Sequence, residues 1–333
     1  MSPTHPAAKR VRRPSLPIDA RTGGPAAFLV VLAIVFGLSG EHFWSFGNIR
    51  SIFFVAAVLV IATLAQTMVV VTRNIDLSIG AVMAGSAYFS LLLVDAHPAL
   101  GVLLLPMAIV VGALMGAING IIVAFIGIPS LIATLGTLSL FRGLIYASGD
   151  GRQINVGSVP GWLLTFVGAR PLGIPALAIV GVLAVIVMGI VFQRTSFGRN
   201  LFAVGSNAQA GDFYGLPRRA TVFQAFVLSG ALAAVAGVFL AGRAGTVTVD
   251  IATGWELQTL AAAVIGGASL LGGTGSALGA ALGALILATI NNGLVQIGLS
   301  GYWQGFVQGC AIVLAVGFDV LLKRQFARQL EQH

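Results

Sequence analysis

The sequence predicts an all-α polytopic membrane protein with about ten transmembrane helices and both termini in the cytoplasm. Three observations lead to this fold class. Of the 333 residues, 57% are hydrophobic and 8% are charged, whereas about a quarter of the residues in soluble domains are charged. The 44 glycines and 12 prolines lie mainly inside apolar stretches, where they permit close helix packing and kinks. Many of these stretches are long enough to cross a hydrocarbon core of about 30 Å.

Ten apolar stretches are predicted as membrane spans. They are 25–42, 50–72, 78–95, 98–126, 130–148, 173–192, 221–242, 257–271, 276–297 and 303–322. The fourth span is overlong and contains Pro106, and the eighth is short and rich in glycine, so either one can hold a broken helix. An even number of spans places both termini on one side of the membrane.

The lysines and arginines predict the orientation. The two termini and the loops after spans two and six hold 13 of them, and the loops on the other side hold four. Basic residues are enriched on the cytoplasmic side, so both termini are predicted to be cytoplasmic. The chain then divides into a disordered basic tail (1–24), a transmembrane domain (25–322) and a second tail (323–333). A cleaved signal peptide is the less favoured alternative for the N-terminus.

The sequence carries no pattern that indicates catalysis or metal binding. It has no Gly-rich phosphate-binding loop with Lys-Ser/Thr, and its four histidines are scattered with no metal-ligand spacing. The single cysteine, Cys310, permits no internal disulfide. The net charge of +8 is explained by the cytoplasmic loops, so it does not indicate nucleic-acid binding. We therefore expect no catalytic residue, no metal site and no bound cofactor.

Asp76 lies at the edge of an apolar stretch, where an ionised carboxylate is costly. One interpretation is that Asp76 or Ser78 caps the helix of span three, with Arg73 as a charged partner. The other is that both residues mark a polar break near a transport pathway. The two interpretations are compatible.

Span five carries more polar residues than the other spans. Ser130, Thr134 and Thr137 share part of one helix face, and Arg142 follows further along. Any single hydroxyl can bond back to its own helix, but the stripe as a whole also suits a pore lining. Asn119 in span four either bonds a neighbouring helix or contacts a polar solute.

Glycines recur every four residues in two of the spans. These rows are Gly112, Gly116 and Gly120 in span four, and Gly275, Gly279 and Gly283 at span nine. Such rows let helix backbones approach closely, so we interpret them as packing seams.

The cytoplasmic loop 193–220 has the features of an ordered element. Asn207 can cap a short helix that runs through Tyr214, and Gly215 can end it. On these residues alone, a docking element for a partner and an ordinary surface loop are equally good interpretations.

Four segments resemble the permease subunits of bacterial ABC importers for monosaccharides, the ribose-type family that also includes xylose, rhamnose and autoinducer-2 permeases. These segments are IDLSIG at 75–80, IATLGT at 132–137 with RGL at 142–144, FGR at 197–199 with AVG at 203–205 and GL at 215–216, and LGGTGS at 271–276. The chain departs from the family pattern at Asn74, at Ser130 and at Gly211-Asp212.

The resemblance implies a role in ATP-driven import across the bacterial inner membrane and an approximate inverted repeat of helices. It implies a cytoplasmic ATPase that binds the ATP and Mg, a periplasmic sugar-binding protein, and a second permease copy or paralogue as partners. It also implies that loop 193–220 couples the permease to the ATPase. The residues expected to take part are Arg199, Asn207, Ala208, Ala210, Gly211, Asp212, Gly215 and Leu216.

The sequence does not identify the solute. A ribose-like monosaccharide is the main expectation, and autoinducer-2, a polyol or a branched-chain amino acid are alternatives. A stand-alone secondary transporter is a further alternative, but it should place ionisable residues deep in several spans. An intramembrane enzyme would need paired carboxylates, a Ser/His set or metal ligands inside the spans.

Overall fold

A computed structural model of the protein describes residues 18–149, 151–206 and 215–299, together with 303, 305–307, 309, 310, 313 and 317. The regular structure in this part of the chain is helical. Its α-helices are α1 (Ile18–Ser39), α2 (Phe46–Val71), α3 (Ile79–Ala96), α4 (Leu104–Ile121), α5 (Ser130–Gly149), α6 (Gly161–Gly168), α7 (Ala176–Arg194), α8 (Ser196–Ser206), α9 (Arg218–Ala244), α10 (Trp255–Ile265) and α11 (Ala277–Gln296). Short 3-10 turns lie at Val156–Ser158 and Pro171–Gly173.

Seven helices in the described residues are long and apolar enough to cross a membrane. They correspond to predicted spans two to seven and nine, so a polytopic helical membrane protein is confirmed. The fourth of the predicted spans is one helical run, Pro98–Ile126. It begins as a 3-10 turn and ends as a π turn that the left-handed Gly127 closes.

Three predicted spans differ from the structure or lie largely outside it. Helix α1 begins at Ile18, inside the predicted disordered tail. The eighth prediction, 257–271, is wrong as a continuous span: α10 has 11 residues and ends at Ile265, and 266–276 is not helical. Most of 303–322 lies outside the described residues, as does the C-terminal tail, so the total of about ten spans stays a prediction.

The helices form two triplets, α2–α4 and α9–α11, whose members make corresponding contacts. Helix α4 packs on α9 as α11 packs on α2, and α3 packs on α9 as α10 packs on α2. Within the triplets, α3 packs on α4 and α10 on α11, while α2 also packs on α9. This correspondence is the one that a two-fold repeat of the triplets would produce. Contacts from both triplets leave α2 buried over most of its length.

The predicted glycine rows lie where helix backbones touch. A Cβ at Gly112 or Gly116 would overlap the carbonyl oxygens of Gly230 and Phe226 on α9. A Cβ at Gly279 or Gly283 would likewise overlap carbonyl oxygens of Gly266 and Ala262 at α10. Two further members of the rows, Gly120 and Gly275, would meet the side chains of Phe223 and Val71. The first row therefore lets the two triplets pack at a separation that only glycine allows, and the second does the same for α10 and α11 within one triplet.

A pair of Gly→Ala substitutions tests this seam. Gly116→Ala places a methyl group against a backbone oxygen, and such overpacking costs about 1–3 kcal/mol. Gly136→Ala, on the exposed face of α5 with no atom within 4 Å of the new methyl, should be neutral or gain the roughly 1 kcal/mol by which alanine exceeds glycine in a helix. Thermal melting in detergent should show a lower midpoint for Gly116→Ala only. Equal shifts in the two variants would contradict the seam.

Candidate translocation site

Two non-helical segments interrupt the bundle at equivalent places in the two triplets. Segment 72–78 joins α2 to α3, and segment 245–254 joins α9 to α10. Buried backbone N–H and C=O groups outside helices need hydrogen-bond partners elsewhere in the protein. Most of the predicted site residues lie in these two segments or form hydrogen bonds with them.

Segment 72–78 runs along the first two turns of α5. The backbone N–H of Ile75 donates to Oγ of Ser130 at 3.1 Å, and that of Leu77 donates to Oγ1 of Thr134 at 3.0 Å. Oγ1 of Thr134 also lies 2.7 Å from the carbonyl oxygen of Ser130 and 3.2 Å from that of Ile75. The hydroxyls of α5 thus replace the partners that an extended backbone loses.

A chain of side-chain hydrogen bonds crosses from α5 through α4 to the same segment. Thr137 Oγ1 donates to Asn119 Oδ1 at 2.6 Å, and Asn119 Nδ2 donates to Ser78 Oγ at 2.7 Å. Ser78 Oγ donates to Asp76 Oδ1 at 2.6 Å, and the Ser78 N–H donates to the same oxygen at 2.8 Å. All four residues are buried, so this chain braces three elements against one another.

The structure brings together six of the seven predicted pathway residues, and Arg142 lies apart from them. In this conformation the six hydrogen-bond to each other or to segment 72–78, and their role in contacting a solute stays a prediction. The predicted helix cap is found in part. Asp76 Oδ1 accepts from the N–H of Ser78, the N-cap residue of α3, whereas the Ser78 side chain accepts no hydrogen bond from the first turn.

Asp76 is the titratable residue in this series of hydrogen bonds. Burial raises the pKa of its carboxyl from 3.8 to about 6, and the two hydrogen bonds from Ser78 counteract part of that rise. The protonated carboxyl is therefore stabilised by the fold relative to the unfolded chain.

Arg142 binds the second non-helical segment. Its Nη1 donates to the carbonyl oxygens of Val249 and Ile251, at 3.1 and 2.9 Å. Arg142 therefore supplies hydrogen-bond partners to the backbone of segment 245–254, as the α5 hydroxyls do for segment 72–78. It lies two to three turns further along the same helix.

Segment 245–254 and α10 contact the first turn of α3 at Gly80. A Cβ there would overlap Oε2 of Glu256 and would lie 2.7 Å from the carbonyl oxygen of Ala252. Ala252 has the left-handed φ of 60°, which costs about 1–3 kcal/mol in a residue other than glycine. The N-terminal turns of α3 and α10 therefore lie close together, and a carboxylate next to a helix N-terminus is favourable.

Arg73 connects segment 72–78 to the predicted coupling element, and its expected pairing with Asp76 is wrong. Its Nε donates to the carbonyl oxygen of Gly205 at 2.6 Å, and its Nη2 donates to that of Ser206 at 3.0 Å. These carbonyls end α8, where a cation is favourable. The Gly273 N–H also donates to the carbonyl oxygen of Val71 at 2.9 Å, so α2, α8 and loop 266–276 are joined here.

Of the remaining residues predicted to couple to the ATPase, three lie in the described part of the protein. Arg199 is exposed on α8, whose buried face includes Gly198 and Leu201. Gly215 is exposed with a left-handed φ of 68°, and Leu216 is half-buried. The other predicted residues, Asn207, Ala208, Ala210, Gly211 and Asp212, lie outside the described residues.

Sequence reasoning missed Glu256 and the tether made by Arg73. A signal for Glu256 was present, because it is a carboxylate immediately before an apolar stretch, as Asp76 is. No local signal marks Arg73, since its partners are more than 130 positions away in the chain.

Comparisons with known proteins identify permease components of transport systems. The family model described as the permease component of branched-chain amino acid transport systems matches residues 48–316. The autoinducer 2 import system permease protein LsrC of Escherichia coli is 32% identical over 91% of this chain and 88% of its own length. The LsrC proteins of Shigella flexneri and Salmonella typhi are 33% identical over 91% of this chain and over 88% and 87% of their own lengths. No solved structure matches significantly.

Removing one donor tests the brace between α4 and α5. Thr137→Val keeps the shape of the side chain but leaves Asn119 Oδ1 without its donor, which costs about 1–3 kcal/mol. Ser139→Ala is the control, because this exposed hydroxyl has only a 3.4 Å contact with the carbonyl oxygen of Leu135. The melting midpoint in detergent should fall for Thr137→Val and not for Ser139→Ala. A midpoint unchanged by Thr137→Val would show that the brace contributes no stability.

The raised pKa of Asp76 predicts a pH dependence of stability. Between about pH 4 and 6 the folded protein keeps a proton that the unfolded chain has released, so the contribution of Asp76 falls as pH rises and levels off above about 6. Lowering the pH from 7.5 to 5 should raise the melting midpoint of the wild type relative to that of Asp76→Asn. Parallel midpoint–pH curves for the two proteins would exclude this linkage.

Proposed function

This chain belongs to the family of branched-chain amino acid transport system permease components, and from that premise we propose that it is the membrane-spanning permease subunit of an ATP-driven bacterial importer for a small sugar-like solute. The observation that carries the proposal is similarity along almost the whole chain to permeases named for autoinducer 2 import. Autoinducer 2 itself and a ribose-like monosaccharide are the two solutes to test first.

The proposed assembly pairs this chain with a second permease copy or a paralogue. A cytoplasmic ATPase binds the ATP and Mg, a periplasmic binding protein delivers the solute, and this chain hydrolyses nothing. The subunit lies in the inner membrane with about ten spans and with both termini in the cytoplasm. Arg199 and the segment from Asn207 to Leu216 form the surface that docks on the ATPase.

The contacts of Arg73 support a route for coupling. A movement of the docking segment displaces the end of α8, and the bonds of Arg73 to Gly205 and Ser206 transfer that displacement to segment 72–78. The bonds from segment 72–78 to Ser130 and Thr134 then carry it to α5. The series of bonds from Asp76 through Ser78 and Asn119 to Thr137 carries it to α4 and α5. Rigid groups of helices that rock in this way exchange inward-facing and outward-facing states.

One observation favours a second candidate, a stand-alone proton-coupled transporter. Asp76 is buried and carries a raised pKa of about 6, as a proton-coupling carboxylate would. Such a transporter needs no ATPase, so the composition of the purified complex separates the two candidates.

Co-purification from the native host tests the proposal directly. A tagged chain extracted in mild detergent should bring down a stoichiometric ATPase, and vesicles that contain the complex should take up autoinducer 2 or radiolabelled ribose in an ATP-dependent manner. Recovery of the chain alone, both in nanodiscs and after crosslinking, would overturn the proposal and favour the stand-alone transporter.

Arg199→Glu tests the docking surface. Reversal of an exposed charge at an interface rim should lower the amount of ATPase recovered by about tenfold, equivalent to about 1.4 kcal/mol. Arg170→Glu is the control, because Arg170 is also exposed but precedes α7, at the end of that helix remote from α8. Quantitative mass spectrometry of the eluate gives the measurement. Equal losses for both variants, or none for Arg199→Glu, would remove Arg199 from the docking surface.

A further inference from the structure

Helix α2 carries a buried polar face that none of the contacts above uses. Thr63, Gln66 and Thr67 are spaced by three and four residues, so they lie on one side of the helix. Each has 0% of its surface exposed. The hydroxyls of both threonines and both amide atoms of Gln66 have no hydrogen-bond partner among the described residues.

Two other buried hydroxyls of the bundle show the usual alternative. Ser86 donates to the carbonyl oxygen of Val82 at 2.7 Å, and Thr221 donates to that of Pro217 at 2.9 Å. This bond back to the preceding turn is open to any serine or threonine in a helix. Since Thr63 and Thr67 do not make it, their hydroxyls remain available to an external partner.

Gln66 is the costliest member of the face. A buried amide without hydrogen bonds is unfavourable relative to a paired one, and more so if both of its ends are unpaired. A leucine has a similar volume and would remove this cost from an otherwise apolar helix. The amide of Gln66 is therefore explained if it gains its hydrogen bonds in another state of the transport cycle.

The surroundings of this face are those of a transport route. The Cγ2 atom of Thr67 lies 3.2 Å from the position that a Cβ of Gly275 would occupy, beside the non-helical loop 266–276 that follows the broken helix α10. Broken helices commonly form the solute sites of transporters. Ser229, on the adjoining helix α9, is also fully buried with no partner for its hydroxyl among the described residues.

We propose that Thr63, Gln66 and Thr67 form a binding surface on α2 for the translocated solute, and that this surface becomes accessible during the ATP-driven cycle. The proposal rests on the proposed function and deepens it. The face offers amide and hydroxyl groups, which both donate and accept hydrogen bonds, and it carries no charge. These groups match a small neutral solute that bears hydroxyl or carbonyl groups.

Gln66→Leu gives the first test. The variant loses the amide but fills its space, so uptake of autoinducer 2 or radiolabelled ribose by vesicles with the complex should fall at least about tenfold, as for the loss of a good hydrogen bond. ATPase recovery should be unchanged, and the melting midpoint unchanged or higher. Ser90→Ala is the control, since Ser90 is also buried with an unpartnered hydroxyl but lies on α3; its uptake should equal that of the wild type.

Wild-type uptake by Gln66→Leu would overturn the binding surface and leave a buried structural amide. If Gln66→Leu fails to assemble, Thr63→Val takes its place, because it removes one hydroxyl without changing the side-chain shape. The proposed function fails separately, when the wild-type complex lacks an ATPase or transports neither probe.

Thiol labelling gives a second test that needs no knowledge of the solute. In a Cys310→Ser background, Thr63→Cys and the neighbouring Leu64→Cys introduce thiols at two positions that are equally buried in this conformation. During ATP hydrolysis by the complex, a small membrane-impermeant maleimide should label the Thr63→Cys variant at least about tenfold faster than the Leu64→Cys variant. No labelling at either position, or equal labelling at both, would overturn the proposal.

Discussion

The structure depends on pairing the peptide groups of two segments that leave the helical conformation within the bundle. A buried N–H or C=O that lacks a hydrogen-bond partner costs about 1–3 kcal/mol. Segment 72–78 obtains partners from hydroxyls of α5. Segment 245–254 obtains them from Arg142 of the same helix and from the backbone of Ile154, which pairs with Val247. Helix α5 is therefore polar in its sequence because it supplies partners to both interruptions.

Packing and backbone strain follow from the same interruptions. The helices that flank the segments approach closely, which the glycines of α4 and α11 allow against α9 and α10. Gly80 supplies the last close approach, with Glu256 and Ala252 against its backbone. Both segments also contain a strained left-handed residue, Arg73 in one and Ala252 in the other. Such strain persists where surrounding contacts hold it, and here the contacts come from the opposite triplet or from α8.

Much of the bundle and of its polar chain was predictable, because hydropathy and helical spacing are local properties. Thr134 and Thr137 are three residues apart, so their common face follows from the helix period. The partners of Arg142 and Arg73 were not predictable, since they lie more than 100 positions away in the chain. The prediction of the eighth span was wrong because composition gives the length of an apolar stretch but not the residue at which its helix ends. The polar face of α2 was overlooked because hydropathy averages Gln66 with the many apolar residues around it.

The polar chain also bears on the source of energy for transport. A proton relay needs groups that accept a proton at one atom and release it from another, as hydroxyls, imidazoles and carboxyls do. In the chain from Thr137 to Asp76, the central group is the amide of Asn119, which donates from nitrogen and accepts at oxygen. An amide does not pass a proton between these two atoms at a useful rate. Asp76 can therefore titrate without moving a proton through the brace, whereas Arg73 and α8 link the brace mechanically to the surface where we place the ATPase.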